Sequence, residues 1–191
     1  MISNYSDDII NCVKALKQQG IIIYPTDTIW GIGCDATQSK SVQRVFNIKK
    51  RDEARALIVL LDDIAKLSYY INDVPPIAYD LMKQVNTPLT IIYPGARNLA
   101  PQCTAADGSV AIRVVRDDFC KDLISSFGKP IVSTSANVSG EHAPIIYQEI
   151  DNKILKQADY IVNYKRNVIT AVKPSTIIRL TGDWNYEVIR S

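Results

Sequence analysis

The sequence predicts a single α/β domain, a twisted mixed β-sheet with helices packed on it. Three observations lead there. Short runs rich in β-branched residues alternate with segments of helical periodicity along most of the chain. The last strand-like runs, "YIVN", "STIIRL" and "YEVIR", have no long helix between them, which argues for a mixed sheet over a purely parallel one. The 191 residues contain no internal repeat, low-complexity tract or linker long enough to divide them, so residues 1–191 read as one unit.

The elements follow in order. "SDDIINCVKALKQQG" reads as a helix: Ser6 can cap it, Asp7 and Asp8 suit its positive end, and Gly20 can close it. Ile9, Val13 and Leu16 share one face. "IIIY" (21–24) is a buried strand, followed by a polar, glycine-bearing loop. Ser39 to Lys50 is helical with Val42, Val45 and Phe46 inward, and "LIVLL" (57–61) is the next strand. "PPIAYDLMKQV" (75–85) is a helix entered through prolines, where a missing N–H costs little. Strands "LTIIY" (89–93) and "VAIRVV" (110–115) precede the helix "DDFCKDLISSFG" (117–128) with its glycine stop. "PIVST" (130–134) is a strand leading into the polar turn "SANVSG", and "EIDNKILKQA" (149–158) is a helix.

Composition bounds the function. The chain is 47% hydrophobic and 22% charged with a formal net charge of +2, which permits contact with RNA without arguing for it. No apolar stretch approaches the roughly eighteen residues of a membrane span, and the N-terminus lacks the basic start and apolar core of an export signal. The four cysteines, Cys12, Cys34, Cys103 and Cys120, form no CxxC pair, which argues for reduced thiols and a cytoplasmic location over a zinc site or disulfide framework.

Several chemistries are excluded by pattern. "GIGCDA" (31–36) fits a dinucleotide fingerprint formally, but Pro25 to Trp30 separate it from the preceding strand, where the fingerprint needs direct succession. Its glycines can equally serve a turn. There is no P-loop, HExxH or GxSxG motif, and the one histidine, His142, leaves triad chemistry a single base.

What remains is polar chemistry at strand ends. "YPTDTIWGIG" (24–33) places hydroxyls and bare backbone after a buried strand. In "NIKKRDEARALIVLL" (47–61), Lys49, Lys50, Arg51 and Arg55 form either a solvated helix end or a phosphate clamp. "PIVSTSANVSG" (130–140) is either a self-capping turn or a nucleotide loop. Arg113, inside "VAIRVV", needs an anion if it faces inward, and a carboxylate suits its fork. Together these loops suit the binding and charge neutralisation of a polyphosphate.

The three stretches "YPTDTIWGIGCDA", "KKR" and "STSAN", in this order and spacing, resemble the YrdC-like family of threonylcarbamoyl-AMP synthases from about Gly20 to Arg190. Ending at Ser191, the chain is similar to the family's short single-domain form. The resemblance implies the YrdC-like fold and a nucleotidyltransferase reaction. L-Threonine and bicarbonate give a carbamate, whose carboxylate attacks the α-phosphate of ATP to yield threonylcarbamoyl-AMP and pyrophosphate. Transferase proteins then pass the threonylcarbamoyl group to adenosine in tRNA. It also implies residue roles: Tyr24, Thr28, Arg113, Ser133 and Ser175 toward threonine; Lys49, Arg51, Ser109, Ser135, Asn137 and Arg190 toward ATP. Mg²⁺ would arrive on the phosphates, with no protein ligand assigned.

The sequence departs from the family pattern at four positions, and the ATP half of the site is better preserved than the threonine half. Asp52 stands where proline is usual, Leu60 replaces a histidine that would face threonine, Ala143 replaces a serine, and Arg179 an aspartate. Two other functions stay open at this point: a paralogue that adenylates another carboxylate, and a non-catalytic RNA-binding or ribosome-maturation module.

Overall fold

A computed structural model describes residues 5–50, 57–169 and 175–191. Its helices are α1 (Ser6–Lys17), α2 (Ser39–Lys49), α3 (Leu67–Tyr70), α4 (Pro76–Gln84), α5 (Asp118–Phe127) and α6 (Asn152–Leu155). Its strands are β1 (Ile22–Pro25), β2 (Trp30–Asp35), β3 (Ile58–Leu61), β4 (Leu89–Tyr93), β5 (Val110–Val114), β6 (Ile131–Ser135), β7 (Tyr160–Ile161), β8 (Thr176–Leu180) and β9 (Tyr186–Arg190).

Among the described residues, all nine strands join one sheet in the order β7-β1-β2-β6-β3-β5-β4-β8-β9. Parallel pairs (β1/β7, β3/β5, β4/β8) are interleaved with antiparallel ones, so the sheet is mixed, as the sequence favours. Alternating side chains send Ile23, Ile32, Val59, Val132 and Ile112 to one face, where α2 packs. Ile22, Tyr24, Leu60 and Ile131 go to the other, beneath α1 and α5. Local chemistry sets the helix ends. Asp117 caps α5 by accepting from the Cys120 N–H at 2.9 Å, and Gly128, at φ 78°, ends it. All four cysteines are free and buried. Among the described residues no helix is long and apolar enough to cross a membrane.

Three expectations are corrected. The helix expected over 149–158 shrinks to Asn152–Leu155, because Asp151 accepts from the Lys153 N–H at 2.7 Å and starts the helix there, after a separate 3₁₀ turn. Ser6 is the first residue of α1, with Tyr5 at the cap position. Asp8 does more than face the dipole: buried, it accepts from the Tyr160 hydroxyl at 2.6 Å and the Tyr164 N–H at 2.9 Å, tying α1 to the chain around β7.

The third correction concerns the glycines. "WGIGCD" is a fully buried strand, paired with β1 through Pro25↔Trp30 and Tyr24↔Gly31. Gly31 and Gly33 are there because neighbours come close. A Cβ at Gly33 would stand 2.3 Å from the Val132 carbonyl oxygen and 2.9 Å from the Tyr24 ring. A backbone carbonyl held in the β2/β6 ladder cannot swing away. Gly33→Ala is therefore expected to cost about 3 kcal/mol of stability, the upper range for overpacking a core. Urea denaturation checks it, and an unchanged midpoint would mean that β2 and β6 can separate freely.

Candidate functional site

The α1/α5 face of the sheet is only partly covered, and the uncovered stretch forms a cavity of about 470 Å³. Register builds it. Ile58 lies opposite Ser133 and Ala111, and Gly31 opposite Ser135, so their side chains fall on one face. The hairpin tip adds Thr26, Thr28 and Ile29, and β8 and β9 add Ile177, Ile189 and Arg190. The cavity thus lies on a sheet face. The crevice at the carboxyl ends of parallel strands, where ligands collect in open parallel sheets, is not its location. The reason is that β6 runs antiparallel to both β2 and β3 and puts its serines on the face.

The tip between β1 and β2 is held by Thr26. Its Oγ1 accepts from the N–H of Thr28 (3.1 Å) and Ile29 (3.2 Å), and donates to the Ile29 carbonyl at 2.8 Å. Thr28 Oγ1 is 3.0 Å from Thr26 Oγ1 and accepts from Arg113 Nη1 at 3.4 Å. Arg113, 4% exposed, also meets the Asp27 carboxylate at 3.3 Å. Arg190 donates through Nε (3.2 Å) and Nη2 (2.8 Å) to the Ser175 carbonyl, while the Ser175 hydroxyl lies 2.9 Å from that of Thr90. Burial first, and then the positive charge of Arg113, lower the Arg190 pKa. Two guanidiniums that feel each other across one cavity provide a place for an anion.

Of the residues singled out in the sequence, Thr28, Arg113, Ser133, Ser135, Ser175 and Arg190 line this cavity. Arg51 lies outside the described residues. Four others do not line the cavity. Tyr24 is completely buried, in the core with α1 and α5, and burial raises its pKa well above the ordinary phenol range. Ser109 has its hydroxyl and N–H on Asp107 Oδ1, at 2.6 and 2.9 Å. Those two bonds, with Arg179 Nη1 at 2.9 Å, hold the Asp107 carboxyl down at about 2. Arg179 is shared between Asp107 and Glu187, the latter at 3.6 Å. Asn137 donates to the Val138 and Glu141 carbonyls at 3.1 and 2.7 Å, closing the turn after β6.

Lys49 is the largest departure from expectation. Expected to hold the triphosphate, Lys49 is itself 1% exposed, and its ammonium points into the "STSAN" turn. It donates to the Asn137 carbonyl at 2.7 Å and to the Ser135 carbonyl, with Asn137 Oδ1 at 3.3 Å and Ser135 Oγ at 3.5 Å. Lys49 and the "STSAN" turn are thus one unit: a buried cation shapes the loop.

Leu60 is also corrected. It lies on the cavity face of the sheet, between Arg113 and Ile131, but belongs to the core with Tyr24, Phe119 and Ile131; Leu57 and Ile58 are the β3-side residues that line the cavity. Sequence reading missed Thr26 and the apolar wall of Ile58, Ile92, Ile177 and Ile189. The T-x-x spacing of an ST-turn could have flagged Thr26; the isoleucines carried no signal beyond strand propensity.

Comparisons with known proteins agree with this architecture. Residues 14–191 match the Sua5/YciO/YrdC family model, described as telomere recombination. The chain is 32% identical over 170 residues to a threonylcarbamoyl-AMP synthase of Saccharophagus degradans, covering 88% of this chain and 87% of that one. E. coli YciO superposes with a TM-score of 0.83 at 27% identity, over 97% of this chain and 89% of the other. P. abyssi Sua5 in complex with L-threonine gives 0.87 at 25% identity, with 95% of this chain matching 53% of that one, so the chain spans about half the length of that relative. The chain belongs to the Sua5/YciO/YrdC family.

Proposed function

We propose that this protein is a threonylcarbamoyl-AMP synthase. The observation that carries the reading is the cavity wall, where Arg113 and Arg190 face a shared space with the hydroxyls of Thr28, Ser133 and Ser135. The similarity to relatives that bear that name supports it.

The threonine nitrogen adds to the carbon of bicarbonate, water leaves, and a carbamate results. A carbamate oxygen then bonds to the α-phosphorus of ATP as the bond to the β-phosphate oxygen breaks, and pyrophosphate departs. Both steps need placement and neutralised charge more than a covalent partner. Arg113 would take the threonine carboxylate in its planar fork, beside Thr28 and Ser133. Ser135 and Arg190 would face the nucleotide. Lys49, its ammonium engaged by the loop, would shape that loop and supply positive charge under the phosphates, with Arg51 the second cation of the clamp. Tyr24, Ser109, Asn137 and Ser175 would act mainly by holding this wall. Mg²⁺ would enter as MgATP: among the described residues no cluster of three or more His, Cys, Asp or Glu could hold a metal, so no residue is assigned to it. The product would pass in the cytoplasm to the transferase proteins that modify tRNA.

The test is pyrophosphate release by the purified chain with ATP, bicarbonate and labelled threonine. Release is expected only when all three are present, with threonylcarbamoyl-AMP as product. Release with another amino acid in place of threonine would identify a paralogue. Retention of tRNA without turnover would identify an RNA-binding module.

A further inference from the structure

The reaction above leaves one carboxylate beside the site unused, its side chain 13% exposed. Asp27 stands at the centre of the four-residue tip that joins β1 to β2, its Oδ1 3.3 Å from Arg113 Nη2. We propose that Asp27 is a positioning residue, which anchors the Arg113 guanidinium from behind and thereby fixes the direction in which its fork meets the substrate carboxylate. The proposal rests on the reading that Arg113 receives that carboxylate.

Three observations separate an anchor from a competitor that the substrate would have to displace. Thr26, Thr28 and Ile29 line the cavity, whereas Asp27 between them does not, so a ligand can enter without taking its place. The Asp27 charge acts inward: after burial, it is among the influences that raise the carboxyl pKa of Asp117, the capping residue of α5, and it bears likewise on the buried Cys120 thiol. The tip itself meets α5, where Cys120 Sγ lies 3.6 Å from the Pro25 carbonyl. Its backbone is also fixed, because Thr26 Oγ1 binds the chain on the far side of Asp27 at both Thr28 and Ile29.

The physical need is plain. Arginine is long, rich in rotamers and always charged, so in a site with little water it turns toward whichever anion is nearest. Thr28 Oγ1 constrains it weakly at 3.4 Å. A fixed carboxylate behind it removes the competing directions before substrate arrives, and two-point recognition of a carboxylate depends on that direction.

The experiment is a double-mutant cycle on the full chain, read by steady-state kinetics and thermal melting. Asp27→Asn keeps the shape and removes the charge. It is expected to raise the threonine KM at least about tenfold while the ATP KM stays within about twofold, and Asp27→Glu is expected to recover part of the loss. Should Asp27→Asn not fold, Asp27→Glu against wild type carries the test, with an intermediate threonine KM expected. In the Arg113→Lys background, where the fork is gone, Asp27→Asn is expected to add little. A threonine KM that falls in Asp27→Asn would make Asp27 a competitor and overturn the proposal. So would an unchanged KM, or losses that multiply independently of Arg113. If Arg113→Lys itself leaves threonine kinetics untouched, the carboxylate assignment of Arg113 fails first, and that outcome is distinct from the others.

Discussion

Arg113→Lys is expected to lower kcat/KM for threonine about 100-fold, or about 2.7 kcal/mol of transition-state stabilisation, in a protein that stays folded. The fold is expected to survive because a lysine ammonium can still reach toward the Asp27 carboxylate, which lies 3.3 Å from the native guanidinium. The activity is not, because an ammonium is a point charge without the planar pair of donors that fixes a carboxylate in two places. The loss should be confined to the amino acid, with ATP parameters nearly constant at saturating threonine. Pyrophosphate release at varied threonine measures it. Full activity would reduce Arg113 to diffuse positive charge.

Lys49→Met is expected to affect stability and nucleotide binding together. Methionine matches much of the lysine volume but offers no donor, so the Ser135 and Asn137 carbonyls lose the ammonium they now share. Leaving two buried carbonyls with fewer partners costs about 2–4 kcal/mol. For a chain of this size that corresponds to a fall in Tm of roughly 5–15 °C. The "STSAN" turn would relax, and the ATP KM is expected to rise at least about tenfold while the threonine KM changes less. Calorimetry of unfolding and ATP-dependent kinetics read the two effects separately. A stable variant with unaltered ATP kinetics would mean that the loop holds its shape without Lys49.

These expectations depend on contacts that were only partly legible in the sequence. Strand and helix periods and glycine stops identified most elements, because those signals act within a few residues of the place they control. The hairpin strand "WGIGCD" was misread as a loop. Two glycines normally mark turns, and here they mark the close approach of β6 and of the Tyr24 ring, neither of which lies next to them in the chain. The helix over 149–158 was drawn too long because Asp151 reads as an ordinary helix residue until its carboxylate is seen to cap Lys153.

The same division holds at the site. The sequence by itself determined the α/β class, the mixed sheet and the residue types that gather around an anion, because patterning and side-chain chemistry are local properties. Tertiary structure alone decided which of those residues face the cavity. Strand register put Ser133, Ser135 and Arg113 on one face and left Tyr24 and Leu60 in the core of that face, beneath α1 and α5. The turn after β6, whose Ser139 N–H donates to the Lys49 carbonyl at 2.9 Å, makes Lys49 the buried support of a loop 86 residues away. Which direction a side chain faces, and what it meets there, follows from pairings between distant strands, and no window along the chain contains them.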